Sequence, residues 1–176
     1  MGMRLVAKQS TREATGVNHG TTLLFGLSGV RVARVERAAD GARVVHVVTA
    51  DSAAAGCPEC GTVSTSVKAK AVTAPKDLPY GQDPIRVAWH KIRWRCREPQ
   101  CRRGSFTEAI DEVPAGRRTT GRLRRAIAGA VGDAARSVAE VSDAFGVSWP
   151  TAQAAFTEAA KAQLGRAGAD RGAGHR

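Results

Sequence analysis

Four cysteines form two close pairs in this 176-residue chain. Cys57 and Cys60 stand in GCPECG, and Cys96 and Cys101 stand in CREPQC after 35 intervening residues. Four thiolates can hold one zinc ion in a tetrahedron with zinc–sulfur distances of about 2.3 Å. The proline in CPECG restricts the loop and the glycine after it permits a tight turn, so that backbone N–H groups can point at the sulfurs. The spacing therefore predicts one structural zinc site closed by both pairs.

A redox dithiol and four buried free thiols are the alternatives to zinc. A thioredoxin-like CxxC opens a helix inside a strand–helix–strand unit, whereas CPECG is followed by a strand-prone segment rich in Thr, Ser and Val. No apolar run in the first 25 residues is longer than LLFGL, and no 18-residue apolar stretch occurs. We therefore expect a cytoplasmic protein with no membrane segment, in a compartment that keeps thiols reduced. A zinc site with four protein ligands leaves no position for a catalytic water.

The positive charge is concentrated in one part of the chain. The formal net charge is +11, and residues 84–125 contain twelve Lys or Arg against four acids, whereas residues 126–164 contain two against four. Such a block is typical of a surface for a polyanion, nucleic acid first, although a merely soluble basic surface is the alternative. Within it we expect Trp89 and Trp94 to pack in the core and Arg93 and Arg95 to be exposed contacts.

The first half of the chain has the patterns of short strands. VRVARVER and RVVHVVT flank an Asp40–Gly41 turn, which predicts a β-hairpin in which His46 is a packing residue. SVKAKAV is weakly strand-like. IRVAWHKIRWRC alternates until His90–Lys91, where we expect a bulge or a twist. This strand leads directly to Cys96.

After EVPAGRRTT the apolar period lengthens to that of a helix. Leu123, Ile127 and Val131 form an apolar face, opposite three arginines, Arg122, Arg124 and Arg125. A capping-box pattern from Ser137 to Glu140 opens a second helix that Gly146 can end. Ser148 is then expected to cap a third helix with Pro150 in its first turn.

SVAEVSDAFGVSWPTAQAAF has the layout of a helix-turn-helix, although an ordinary three-helix bundle is the alternative. The start of the second helix of such a motif faces the DNA major groove, which assigns base contacts to Ser148, Trp149, Thr151 and Gln153, with Gln153 suited to adenine. Phosphate contacts are expected from Arg122, Arg124 and Arg125 and from the arginines of the cysteine-bearing unit.

The predicted fold class is α+β, with a small zinc-stapled β unit followed by a three-helix helix-turn-helix unit. The expected boundaries are a disordered arm at 1–21, a zinc-binding β domain at 22–112, a helix-turn-helix domain at 117–164 and a disordered tail at 165–176.

The order of these parts resembles the amino-terminal region of bacterial insertion-sequence transposases of the ISL-three type. LLFGLSGVRVARVE, GCPECG, DLPYGQDPIRVAWHKIRWRCREPQCRRGSFTE and the helix-turn-helix carry the resemblance, over about residues 22 to 160. It implies a zinc-binding finger and a DNA-binding helix-turn-helix that recognises the terminal inverted repeats of the element, followed by a large DDE domain whose three carboxylates bind divalent metal.

The chain departs from that pattern after its third helix, where Glu158 and Asp170 are the remaining acids. We therefore expect a chain that binds double-stranded DNA at transposon ends, with zinc as cofactor, and is not itself an enzyme. The further protein partner expected is either a second copy of the chain or a full-length transposase. The alternatives are a transposase subunit that is active only with a catalytic partner chain, and a zinc-dependent protein-interaction module.

Overall fold

The structure is a computed structural model that describes residues 19–80 and 85–172. Its elements are, in chain order, α1 (His19–Phe25), β1 (Val30–Arg37), β2 (Arg43–Thr49), a 3-10 helix (Ser52–Ala55), β3 (Val67–Thr73), β4 (Ile85–Arg95), β5 (Ser105–Thr107), α2 (Gly121–Gly132), α3 (Val138–Phe145) and α4 (Trp149–Gly172). A sheet therefore precedes a group of helices, and the predicted α+β class is confirmed. No helix in the described ranges is long and apolar enough to cross a membrane.

The five strands form one mixed sheet in the order β1-β2-β4-β3, with β5 paired to β4. β1 and β2 form the predicted antiparallel hairpin, and Gly41 in its turn has φ of +83°, which glycine adopts without a Cβ penalty. β2 and β4 are parallel, with His46 opposite Ala88. A parallel pair needs a long crossover, and here the crossover carries the first cysteine pair and β3.

A bulge or a twist is predicted at His90–Lys91, and the strand pairing shows no bulge there. The ladder between β3 and β4 passes through these two residues without a shift, and the irregularity lies on β3 between Val67 and Ala69. The apolar residues of β4 lie on one side of the strand before His90 and on the other side after it, because the two ends of the strand contact different parts of the protein. Trp89 faces the sheet core, whereas the backbone N–H of Ile92 donates to the buried Glu108 carboxylate at 2.9 Å.

One face of the sheet is covered by α1 and the chain around Ile110 and Val113. The buried side chains there are Phe25, Leu27, Val30, Val32, Val45, Val47, Val87, Trp89, Ile110 and Val113. Trp89 is buried as predicted, and its indole donates to Thr49 Oγ1 at 3.0 Å. Trp94 is half-buried and donates to Glu108 Oε1 at 3.3 Å. The predicted packing role of His46 is also met, since it is buried and lies 2.8 Å from His90 between ring nitrogens.

The helices form a second core of Leu123, Ile127, Val141, Ala152 and Ala155. The capping box of Ser137 and Glu140 is present, and Gly146 ends α3 with φ of +57°, both as predicted. Pro150 lies in the first turn of α4, where its missing N–H breaks no helical bond.

Helices extend into both segments for which disorder is predicted. α4 continues to Gly172, through most of the expected tail at 165–176, and α1 begins at His19, inside the expected arm at 1–21. Alanine has the highest helix propensity, and the Ala-rich sequence after Phe156 lets the helix continue past its packed part. Residues 1–18 and 173–176 lie outside the described residues.

Candidate metal centre and nucleic-acid interface

The four cysteine sulfurs lie within 4.8 Å of one another. Cys57 Sγ is 3.9 Å from Cys101 Sγ, and Cys60 Sγ is 3.6 Å from Cys96 Sγ. A tetrahedron with zinc–sulfur bonds of about 2.3 Å has sulfur–sulfur edges of about 3.8 Å. The donor type, number and separation therefore fit one zinc ion, which would join the two cysteine loops and leave no coordination position open.

Short backbone hydrogen bonds shape both cysteine loops. In the first, the Gly61 N–H donates to the Cys57 carbonyl at 2.8 Å, and Gly61 has φ of +75°, so the predicted tight turn depends on this glycine. In the second, the Cys101 N–H donates to the Glu98 carbonyl at 3.1 Å. β4 and β5 position that loop, because Cys96 directly follows β4 and its N–H donates to the Gly104 carbonyl at 3.2 Å.

Ser64 joins the two loops, a role that the sequence did not reveal. It is almost fully buried, and its hydroxyl donates to the Arg95 carbonyl at 2.6 Å. This bond joins the segment after Cys60 to the strand end that carries Cys96. Ser64 is one of two serines in TVSTSV, and nothing in that pattern distinguishes it from Ser66.

The thiols of the metal-free cluster do not ionise alike. Hydrogen bonds from the side chain and backbone of Thr62 lower the pKa of Cys60 to about 6. For Cys101, a hydrogen bond from the Arg103 backbone lowers the pKa, but desolvation and the neighbouring cysteines outweigh it and raise the pKa to about 12. Ionisation of one thiol thus makes ionisation of a second thiol less favourable. A divalent cation removes that repulsion, so zinc binding must release protons.

The helix-turn-helix presents the start of α4 at the surface. Ala152 and Ala155 pack against α2 and α3, whereas Ser148 and Trp149 are exposed, with Trp149 53% accessible. Ser148 Oγ lies 2.9 Å from the hydroxyl of half-buried Thr151. A large exposed aromatic and two hydroxyl groups thus lie together at the start of α4.

Gln153 lies one turn further along α4 and is half-buried. Its side-chain nitrogen donates to Thr157 Oγ1 at 3.3 Å. This bond uses one of its two N–H groups and leaves its carbonyl oxygen without a partner among the described residues. The predicted base-reading side chains are thus brought together on one end of α4.

Arg122 is not on a free polar face, contrary to the prediction. Its guanidinium makes a bidentate ion pair with Asp77, and its Nη1 donates to the Phe25 carbonyl at 2.6 Å. The Arg122 and Asp77 side chains are only 14% and 2% exposed. The helical pattern could not reveal this, because the partner carboxylate lies 45 residues away, in the loop between β3 and β4.

Arg124 and Arg125 are also paired. Arg124 is 16% exposed and bonds to Glu158, whereas Arg125 remains 69% exposed while its Nη2 donates to Glu112 Oε1 at 2.5 Å. Partial desolvation raises the pKa of Glu158, but hydrogen bonds from Arg117 and Arg124 outweigh it, and the net pKa lies below its usual value. Of the three helical arginines, only Arg125 therefore exposes much of its charge.

Arg93 and Arg95 are exposed, as predicted, beside the cysteine site. Arg93 Nη2 donates to Ser105 Oγ at 3.1 Å, and Arg95 Nη1 donates to the Val67 carbonyl at 2.5 Å. Because both partners are neutral oxygens, neither hydrogen bond neutralises the positive charge of its guanidinium group.

Two family models match adjacent parts of the chain. Residues 53–101 match the zinc-finger of transposase IS204/IS1001/IS1096/IS1165, and residues 108–160 match the helix-turn-helix domain of transposase family ISL3. Neither a curated protein nor a solved structure matched the chain. The first match contains all four clustered cysteines, and the second contains α2, α3 and the start of α4. The chain therefore has the zinc-ribbon and helix-turn-helix domains of the ISL3 transposase family.

Proposed function

We propose that this chain is the DNA-recognition part of a transposase and binds the terminal inverted repeats of its element. The observation that carries the proposal is the exposed start of α4 on a capped helix-turn-helix. Ser148, Trp149, Thr151 and Gln153 would enter the major groove there, and Ala152 and Ala155 would keep the helix packed on α2 and α3. Such binding takes place in the cytoplasm, where bacterial DNA lies.

Gln153 is the residue proposed to read a base. A glutamine can make a bidentate contact with adenine in the major groove, worth about 1–3 kcal/mol of discrimination. Its Thr157 contact holds the side chain in one orientation before binding. The phosphate contacts are assigned to exposed Arg125 on α2 and to Arg93 and Arg95 of the sheet.

The test begins with selection of bound sequences from random duplex DNA, followed by binding to the element's ends. Gln153→Ala should lower affinity for the selected site about 5- to 150-fold and leave random DNA almost unchanged. Gln163→Ala is the matched control, because Gln163 is exposed on the same helix about 15 Å further along. An unchanged ratio of specific to random binding in Gln153→Ala would show that this residue does not read sequence.

We also propose that the chain binds without cutting. The four cysteines are the one group of ligating side chains found in the described residues, and they leave no open metal position. Purified protein with Mg²⁺ or Mn²⁺ and DNA carrying the element's ends should give no nicks. Nicking that copurifies with the chain would overturn this, and nicking that needs a second, carboxylate-bearing chain would favour the subunit alternative. Failure to bind any DNA at low salt would favour the protein-interaction module.

A further inference from the structure

Six cations surround the metal centre at one end of the sheet. These zinc-end cations are Lys68, Arg93, Arg95, Arg97, Arg102 and Arg103. Lys68 Nζ and Arg93 Nη2 both donate to Ser105 Oγ, at 3.2 and 3.1 Å. Two cations thus converge on one neutral hydroxyl, which is the arrangement that an anionic oxygen would complete.

The acids near this end do not neutralise it. Arg103 is the one zinc-end cation with an ion pair in the described part of the chain, to Glu59 at 3.6 Å, and the Glu98 carboxylate accepts from the Gln100 N–H. A zinc ion with four thiolates carries two net negative charges. With buried Glu108 counted as well, six cations against three glutamates and this dianion still leave a net positive charge, which suits a phosphate backbone.

The helices are joined to the other end of the sheet by a buried ion pair. Asp77, in the loop between β3 and β4, accepts from Thr120 Oγ1 and Arg122 Nε, both at 2.7 Å, and from Arg122 Nη2. Thr120 also caps α2, since its hydroxyl accepts from the Leu123 N–H at 3.2 Å. We call Asp77, Thr120 and Arg122 the Asp77 clamp.

Neighbouring residues of the same loop strengthen this connection. Lys76 Nζ donates to the Gly146 carbonyl at the turn between α3 and α4, and the Lys76 backbone exchanges hydrogen bonds with Arg118 and Thr120 at 2.8 and 2.9 Å. Leu78 packs against the helical core. Residues 76–78 of this loop therefore contact the helical unit directly.

β4 runs from the helical unit to the metal centre. Ile85 lies at the helical end, in a groove of about 460 Å³ that Phe145 and Gly146 also line, and Arg95 precedes the metal ligand Cys96. Ten steps along a strand cover about 33 Å. One turn of B-DNA is about 34–36 Å.

We propose that the zinc-end cations contact the phosphate backbone of the same duplex about one helical turn from the groove that α4 occupies, and that the Asp77 clamp fixes this spacing. The proposal rests on the proposed function, because it assumes that α4 binds DNA. It extends the phosphate contacts of Arg93 and Arg95 to the whole zinc end, gives their distance from α4 along the duplex, and makes Asp77 a positioning residue for them.

The first test varies the length of duplex flanking the selected site on each side. Affinity of the zinc-loaded protein should rise about tenfold when one flank reaches about one turn, and phosphates there should be protected from hydroxyl radicals. Lys68→Ala with Arg93→Ala should remove the rise and the distal protection, and should lower the salt slope by about two. Arg37→Ala, which removes an exposed arginine at the hairpin turn, should change neither.

The outcomes separate the two proposals. Binding that responds to Gln153→Ala without any rise or distal protection would overturn this inference alone. Protection that survives the double variant would overturn the assignment to these cations. Absence of all DNA binding would overturn both proposals.

The second test concerns the clamp. Asp77→Asn protein that still holds zinc should lose the sharp dependence on flank length and show a gradual one. An unchanged sharp rise in that variant would overturn the role of Asp77. If Asp77→Asn does not fold, ¹⁵N relaxation of the native protein without DNA tests whether the spacing is fixed. One rotational correlation time is then expected for β4 and α4. Two different correlation times would contradict fixed spacing.

Discussion

At the scale of single residues, each buried carboxylate holds several donors. Asp77 accepts three hydrogen bonds, and Glu108 accepts from Thr49 Oγ1, the Ile92 N–H and Trp94 Nε1 at 2.8, 2.9 and 3.3 Å. Asp77 neutralises the buried charge of Arg122, whereas the partners of Glu108 are all neutral. Because the chain has 27 Lys or Arg but only 16 Asp or Glu, the use of Glu108 in the interior adds to the excess of positive charge elsewhere. The positive surface of this protein thus follows partly from where its carboxylates are used.

Replacing Asp77 by Ala should destabilise the protein by about 3–5 kcal/mol, because it leaves the buried Arg122 charge without its partner. Urea unfolding of the zinc-loaded protein, followed by circular dichroism, measures the effect. Asp143→Ala, which removes an exposed carboxylate from α3, is the control and should stay within about 0.5 kcal/mol of the native protein. Equal stability of the two variants would contradict a structural ion pair.

Glu108→Gln should cost about 1–3 kcal/mol, because an amide cannot accept from all three donors that the carboxylate satisfies. Thermal unfolding together with the near-ultraviolet signal of Trp94 would report the change. Asp111→Asn, at an exposed position three residues further on, provides the comparison and should have little effect. A Glu108→Gln protein as stable as that control would show that the three contacts add little.

At the scale of elements, the helix ends are set by local hydrogen bonds. α3 begins with a complete capping box at Ser137 and Glu140 and ends at left-handed Gly146. The hydrogen bond from the Ser137 hydroxyl is the largest cause that lowers the pKa of Glu140, with a further contribution from the Ser137 backbone. The short α3 therefore starts and stops at fixed residues, and this fixes the direction of α4.

Ser137→Ala should destabilise the helical unit by about 1 kcal/mol through loss of the cap. The pKa of Glu140 is lowered in the folded protein, so its stabilising effect is present above the ordinary glutamate pKa of 4.5 and is lost as the pH falls through the lowered pKa. The difference between native and variant protein in urea unfolding should accordingly shrink from about pH 7 to about pH 3. A difference that stayed constant or grew on acidification would contradict the capping-box explanation. Ser148→Ala gives a useful contrast, because its hydroxyl contacts only that of Thr151.

At the scale of the whole molecule, zinc and the Asp77 clamp close opposite ends of one structure. The sheet core has ten buried side chains, and the helical core has five. Neither core is large, so covalent-strength metal bonds at one end and a buried ion pair at the other matter for the fold as a whole.

We expect one zinc per chain by metal analysis, lost in Cys57→Ser with Cys96→Ser. Structural zinc binding is worth on the order of 10 kcal/mol in small finger peptides, so chelation should unfold the sheet. Much of the helical circular-dichroism signal should remain, with a lower melting temperature because the loop with Asp77 loses its strands. Chelator already saturated with zinc is the control. Full zinc occupancy in the double variant would refute the four-cysteine site.

Features whose partners are close along the chain could be predicted from the amino-acid sequence alone. These are the cysteine loops with left-handed Gly61, the hairpin turn at Gly41, the capping box of α3 and its end at Gly146. Each depends on bonds within a few residues, where residue type and spacing leave few conformations. Joining the two cysteine pairs was predictable as well, because four thiols of such spacing favour one tetrahedral ion.

The roles of Arg122, Glu108, Ser64 and Leu78, in contrast, depend on tertiary contacts. Their partners lie far along the chain, and the register of a strand or the path of a loop determines which of several equivalent side chains meets which. Arg122 and Arg125 have the same helical setting in the sequence, yet one reaches buried Asp77 and the other stays exposed. The difference arises because the loop at Asp77 pairs with the chain just before α2, where Lys76 and Thr119 form a parallel bridge, a contact that no local pattern specifies.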